Sequence, residues 1–285
     1  MSLSSKYKQL AERTESLLAQ ECERVAGKGA LGSCIRHSIS TPGKRLRPVL
    51  CFAAAELFGL PLERVDRYAL AIELLHTASL VHDDLPALDD DDMRRGHPTA
   101  HTVFGEGVAL LSGDYLIART FSLIASDAGL SSGVRATLIE LLSDVTMDLC
   151  EGQVIDLQTD FGSSGEGREE QLRICHLKKT AVLFRAAVVA PAIIAWGGRG
   201  GAEEAAMGEF GLNLGLIFQL RDDLLDAQEG DPEGDGLSSV AILGRARVEA
   251  EVKELEEKVL RVLDPFGERA AFLRELCYFV VSRDR

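Results

Sequence analysis

Residues 82–96 read HDDLPALDDDDMRRG, and residues 218–226 read FQLRDDLLD. In the first stretch six aspartates crowd into ten positions; the second carries Asp222, Asp223 and Asp226. Packed carboxylates repel one another and resist burial, so folding gains nothing from such clusters. Asp222 and Asp226 stand four apart and would project from one helical face, one turn above the other. Oxygen donors in this pattern suit a hard divalent cation. Magnesium takes oxygen ligands at roughly 2.0–2.1 Å, keeps several waters and commonly bridges one or two carboxylates to substrate phosphates. A calcium loop of EF-hand type fits less well, because its glycine and terminal glutamate are missing. Alone, the DDDD run is equally well a solvated acidic loop. Its pairing with RRG, and with a second aspartate motif on another apolar stretch, favours a site.

The complementary chemistry lies in GKRLRP (43–48) and in Arg94-Arg95. Guanidinium forks match phosphate oxygens in a bidentate geometry, and lysine adds a point charge. The net charge of −14 argues against nucleic acid or an anionic membrane face as a partner. An acidic chain that holds an anion therefore needs such local basic clusters or bound cations. In isolation GKRLRP also reads as a surface turn before a helix, and His76 as a core histidine.

Helical periodicity supplies the elements that must carry these groups. RYALAIELLHTASLVHDD places Leu70, Leu74, Ala78 and Val81 at helical spacings and delivers Asp83 at its C-terminal end. A carboxylate there is disfavoured by the helix dipole, which again marks a site rather than a scaffold. The stretches beginning EGVALL, GVRATL and EEAAMG read the same way, and the charged RVEAEVKELEEKVLRVLDPF reads as a surface helix. Breaks fall at 41–44, after Pro86, and at 162–167, 197–203 and 228–236, none long enough to separate domains. Runs of alternating polar and apolar residues are absent. The expectation is one all-α domain over residues 1–285, about ten helices around a deep central cavity.

At 285 residues, 46% hydrophobic and 27% charged, the chain can bury a substantial core. Cys22, Cys34, Cys51, Cys150, Cys175 and Cys277 are scattered without close pairing, as free thiols in a reducing compartment would be. The opening MSLSSKYKQLAERTESLL has no apolar stretch of signal-peptide type. The most apolar run, TAVLFRAAVVAPAIIAWGG, contains Arg185 and Pro191 and reads as a core helix rather than a stable membrane insertion. A soluble cytoplasmic protein is expected.

In order along the chain, GKRLRP (43–48), LLHTASLVHDDLPALDDDDMRRGHPTAH (74–101), FGEGVALLSGDYL (104–116), GQVIDL (152–157), KT (179–180), FQLRDDLLD (218–226) and the closing YFVVSRDR resemble the trans-isoprenyl diphosphate synthases. That family includes the farnesyl and geranylgeranyl diphosphate synthases. The resemblance spans nearly the whole chain. It implies an isoprenoid synthase fold, usually a homodimer, that joins isopentenyl diphosphate to an allylic diphosphate (dimethylallyl, geranyl or farnesyl). It also implies Mg2+ ions, three per active site, held by Asp83 and Asp89 on one side and Asp222 on the other. Asp84 and Asp226 would support them, and Asp223 belongs to the same catalytic set. Arg94, Lys179 and Gln219 match positions that contact the allylic diphosphate, and Thr180 lines the path of the carbocation. Lys44, Arg47, His76 and Arg95 match the metal-free pocket for isopentenyl diphosphate. Asp156 is expected to pair with Lys179.

Residues one turn before Asp83, Ala78 and Ser79, are expected to floor the cavity. Both are small, which favours a twenty-carbon product over fifteen. The chain departs from the family after Asp226: AQEGDPEGDGLSSVAILG contains no lysine where relatives carry a lysine-bearing loop. That difference leaves a weakly active enzyme or a non-catalytic subunit of a heteromeric synthase as alternatives. A class I terpene cyclase shares the first motif, but needs no second-substrate pocket and usually has asparagine and serine in its second metal motif.

Overall fold

A computed structural model describes residues 4–158, 166–227 and 238–283. Among these the helices are α1 (Ser5–Val25), α2 (Gly29–Ser40), α3 (Leu46–Leu57), α4 (Asp66–Asp83), α5 (Ala100–Phe104), α6 (Glu106–Ala125) and α7 (Ser132–Leu157). They continue as α8 (Glu166–His176), α9 (Val182–Trp196), α10 (Ala202–Asp226), α11 (Ser239–Leu243), α12 (Arg245–Leu263) and α13 (Ala271–Ser282). Two of the thirteen, α5 and α11, have only five residues each. The all-α expectation therefore holds.

Burial follows the sequence pattern. In α4, Tyr68 to Leu75 are buried without a break, and in α9 Leu183 to Ile194 are buried apart from Arg185. A helix apolar on all sides belongs inside a protein. α4 packs on α6, while α9 lies between α3 and α10. Tyr68, Phe52, Phe184 and Phe210 are the bulkiest wholly buried side chains of this centre. By contrast, α12 buries one stripe, Val248, Val252, Leu255, Val259 and Leu263, and turns its charges outward as expected. Ser4 caps α1 by accepting from Tyr7 N at 3.2 Å, and Ser131 caps α7 by accepting from Val134 N at 3.3 Å.

Two irregularities serve the interior. A π-helical turn, Leu177–Ala181, joins α8 to α9 without ending the helix. Such turns re-aim side chains, often at functional positions. Next to it, α10 approaches very closely: a Cβ on Gly215 would stand 2.5 Å from Ala181 Cα, and one on Gly211 2.5 Å from Arg185 Cα. The two glycines, four residues apart on one face of α10, thus set its distance from the turn that carries Lys179 and Thr180.

The second irregularity is a two-residue hairpin, Met93–Arg94 paired antiparallel with His97–Pro98. Its short strands lack the alternating run that marks a strand in sequence. The turn residues Arg95 and Gly96 have φ of 53° and 78°, as the primed hairpin turns require.

Gly211→Ala and Gly215→Ala should each cost about 1–3 kcal/mol by overpacking the α9–α10 contact. Urea unfolding of each variant measures this; a loss within experimental error would contradict the close approach.

Candidate active site

The first aspartate motif is built on the end of α4. Asp83 closes the helix, and its carbonyl accepts from Asp89 N at 2.8 Å, which folds the following residues back over the helix end. Asp84 is buried, and Arg94 Nε donates to its Oδ1. Arg94 Nη2 also reaches Asp91 Oδ2 at 2.9 Å. Asp84 thereby anchors the arginine. Asp89 is exposed and accepts from Gln153 Nε2 of α7 at 3.3 Å. Burial pushes the Asp83 carboxyl up to about 7, with Asp89 and Asp84 adding repulsion and Lys179 and Arg94 opposing it.

Lys179 sits on the π-helical turn and bonds Asp156 of α7, the pairing expected from sequence. Burial draws its ammonium down, but Asp156 and Asp83 outweigh that, and the net shift is upward. The lysine remains charged between the two carboxylates. Gly152 makes room for this turn, since a Cβ there would meet Lys179 N at 2.5 Å.

The second motif divides. Asp223 points inward: its Oδ1 accepts from Gln219 Nε2 at 3.0 Å and its Oδ2 from Ser239 N at 2.8 Å, with His176 Nε2 at 3.7 Å. Thr180 Oγ1 donates to Gln219 Oε1 at 2.9 Å. One chain of hydrogen bonds therefore joins the π-helical turn, α10 and the start of α11. Asp223 is a positioning residue rather than a group facing substrate. Asp222 takes the other direction. Its Oδ1 accepts from Arg283 Nη2 at 2.5 Å, and Arg283 also donates to Phe218 O at 2.5 Å and lies 3.7 Å from the Phe218 ring centre. Burial raises the Asp222 carboxyl, against the pull of Arg283. Asp226 is exposed at the end of α10.

Lys44, Arg47, His76 and Arg95, named from three separate places in the sequence, line one cavity of about 530 Å3 together with Asp222, Phe218 and Arg283. Arg47 stacks 4.7 Å from the Phe184 ring centre, and its Nε has no hydrogen-bond partner among the described residues. Burial lowers its guanidinium to about 10. Arg95 Nη1 donates to Pro42 O at 3.1 Å, drawing the hairpin turn over the 41–44 loop. Burial and the surrounding arginines keep the His76 imidazole well below its usual value, hence neutral. A smaller neighbouring cavity, lined by Asp84 and Arg94, shares His76, Arg95, Arg45 and Glu73 with the first. The basic cavity and the Asp84–Arg94 pair are thus adjoining rooms with a common wall, whereas Asp83 and Asp89 line neither.

Ala78 has no exposed surface and belongs to the main core, whereas Ser79 is half-buried and lies one turn before Asp83 on the same face. The lysine-free stretch after Asp226 lies mostly outside the described residues. Sequence reasoning gave no role to Arg283, although the closing YFVVSRDR belonged to the motif set, and none to Arg45, Glu73, Gln153 or His176. Each acts through a partner distant in sequence, which spacing cannot reveal.

The donor chemistry fits a hard divalent cation: only carboxylate oxygens are offered, and Asp83 is half-buried next to like charges that a cation would relieve. No three acidic, histidine or cysteine groups cluster tightly enough to form a complete cation site among the described residues.

An all-helical enzyme whose carboxylates adjoin a cavity of arginines and lysine is built for diphosphate chemistry. The Polyprenyl synthetase family pattern matches residues 28–237. The chain is 37% identical over 264 residues to the chloroplastic geranylgeranyl pyrophosphate synthase of Capsicum annuum, covering 88% of this chain and 70% of that protein. It is 35% identical over 293 residues to the farnesyl diphosphate synthase of Geobacillus stearothermophilus, covering 96% and 95%. The solved geranyltransferase of Legionella pneumophila superposes with a TM-score of 0.87 at 29% identity, over 97% of this chain and 96% of that one. The chain belongs to the polyprenyl synthetase family and is a prenyltransferase.

A carboxyl whose folded value lies above its unfolded one binds more protons in the folded state. Its contribution is fully present below the ordinary carboxylate value and is lost as pH rises through the folded value. For Asp83 that loss ends near pH 7. Buried His76 and His176, both lowered, act in the opposite sense below their usual 6.5. Asp83→Asn keeps both histidines, so the variant isolates the aspartate. Without metal, its melting temperature should gain on the wild type by about 5–10 °C between pH 5 and pH 8. Calorimetric scans across that range measure the gap, and a constant gap would refute the assignment.

Proposed function

We propose that this prenyltransferase condenses isopentenyl diphosphate with dimethylallyl, geranyl or farnesyl diphosphate, head to tail, to make all-trans geranylgeranyl diphosphate. The observation that carries the reading is the cavity in which Lys44, Arg47, His76 and Arg95 converge with Asp222 on its wall. Four basic or hydrogen-bonding groups receive one diphosphate there, while Asp83, Asp89 and Asp222 are the donors for Mg2+ beside a second. When bound, Mg2+ supplies Lewis-acid and electrostatic stabilisation of the leaving diphosphate.

The chain's own residues do the rest. Arg94, oriented by Asp84, and Lys179, oriented by Asp156, present charge to the allylic diphosphate. Because the Thr180 hydroxyl donates its proton to Gln219, its lone pairs remain for the electron-poor carbon. The buried surroundings keep water from the carbocation. Its capture by the isopentenyl double bond, followed by proton loss to the released diphosphate, needs no protein nucleophile.

A homodimer belongs to the same proposal. Among the described residues two helical stretches are apolar and long enough to cross a membrane, Glu106–Ala125 and Gly167–Trp196. The second is 78% buried and is a core helix, but the first is only 39% buried and exposes Leu110 and Leu111. Met147 and Val154 of α7 are exposed as well. A second copy covering α6 and α7 would remove this apolar surface from water. The described cysteines are all free, which supports the proposed reducing, cytoplasmic compartment.

Purified protein with Mg2+, labelled isopentenyl diphosphate and each allylic starter should yield a twenty-carbon diphosphate by chromatography. A fifteen-carbon end product would move the protein to the farnesyl class, and no product from any starter would support the non-catalytic subunit. Ser79 is preferred for engineering the cavity floor, because Ala78 is packed in the core. Ser79→Phe should shorten the main product by one five-carbon unit or more; an unchanged product would show that the floor lies elsewhere.

A further inference from the structure

Glu73 of α4 lines the cavity that gathers Lys44, Arg47 and Arg95, and is only 3% exposed. A carboxylate beside an anion-binding pocket opposes the pocket's purpose, since like charges a few ångströms apart repel strongly even at a protein-like dielectric. Its Oε1 accepts from Arg45 Nη1 at 2.9 Å, and both side chains are 3% exposed. Arg45 does not depend on this bond, because it also donates to Glu15 Oε1 at 2.7 Å, Thr41 O at 2.9 Å and Ile39 O at 3.2 Å. The Glu73 charge reaches further. Burial lowers Arg47 and Arg95, and in both the nearby Glu73 pulls the other way, favouring the charged form.

Given the prenyl-transfer reading, on which this inference rests, the elongation reaction gives that opposition a use. The allylic C–O bond breaks, its electron pair leaving with the diphosphate. The isopentenyl double bond supplies the pair for the new C–C bond, and the resulting cation loses a proton to the released diphosphate. The lengthened product therefore keeps the diphosphate that sits in the basic cavity. To react again it has to pass to the aspartate side, and unopposed cations would retain it.

We propose that Glu73 is a resident counter-anion that weakens the basic cavity's grip on diphosphate, so that each lengthened product is released for the next round. It is a positioning residue that acts through the cavity's cations and touches no reacting atom. The fold tolerates it because the same cations need an anion while the cavity holds none.

Glu73→Gln keeps the side-chain length and an oxygen for Arg45, and removes the charge. Calorimetric titration with inorganic pyrophosphate, without metal, should show the variant binding about tenfold more tightly than the wild type. In turnover, KM for isopentenyl diphosphate should fall together with kcat, and products should shift towards shorter chains. A merely structural role would lower the melting temperature and leave pyrophosphate affinity unchanged or weaker, which would overturn the proposal. Should the glutamine variant not fold, Glu73→Met, uncharged and of the same length, takes its place with the same expectation. Failure of both to fold would assign the charge to folding and also overturn the proposal. A wild type that binds pyrophosphate yet makes no elongated product would remove the prenyl reading, while the binding comparison would still decide the effect of the Glu73 charge.

Discussion

Charges meant for a ligand have to be held in the folded chain before the ligand arrives, and this requirement organises the molecule. Functional ions at the site have resident partners of opposite sign: Arg94 with Asp84, Lys179 with Asp156, Asp222 with Arg283 and Arg45 with Glu73. Removing one member of such a pair strands the other in a poor solvent, which is costlier than the pair itself is stabilising. The pairs therefore do little for net stability. Their work is orientation: they aim side chains at adjoining cavities and keep them ionised. The Asp222–Arg283 contact has a further consequence. An oxygen that a cation would require is already engaged by a guanidinium, so cation binding and the placement of the chain's C-terminal end are linked.

Precision at the site comes from backbone irregularities on otherwise regular helices. Lys179 and Thr180 project from a π-helical turn, and Arg95 from a hairpin turn with positive φ. Arg45 stands at φ 50° just before α3, also outside the conformations favoured by ordinary residues. Such conformations persist only where the surroundings over-determine them. Here the determinants are visible: the Arg45 side chain has four acceptors, and the Arg95 side chain is tied to Pro42 O. Strain and hydrogen bonding meet at the residues that hold charge.

Helical class, the outward face of α12, the buried α9 and the break at 197–203 were all legible in the sequence, because periodicity and glycine punctuation report directly on burial and helix ends. The basic cavity was legible for a different reason: ordered motifs identified Lys44, Arg47, His76 and Arg95, and the fold brings them to one wall. What spacing could not convey was direction. Asp222 and Asp223 are adjacent and chemically identical, yet one faces the cavity and the other holds Gln219 and Ser239 inside. The roles of Arg283 and Glu73 were hidden for a related reason, since their partners lie 61 and 28 residues away. The hairpin at 93–98 escaped because two-residue strands are too short to carry alternation.

The division of the second motif also bears on the departure after Asp226. In a chain with no lysine in that stretch, the segment beyond it is still tied to the site at its far end, through Ser239 N on Asp223. Asp223 in turn fixes Gln219, and Gln219 fixes Thr180. A change at the start of α11 is therefore transmitted to Thr180 on the π-helical turn through three hydrogen bonds. Cations already stand in the two cavities: Lys44, Arg45, Arg47, Arg94, Arg95 and Arg283. With six cations gathered in adjoining cavities, retention of a bound anion becomes as real a constraint as its binding, and a buried carboxylate among them is the simplest physical means of relieving it.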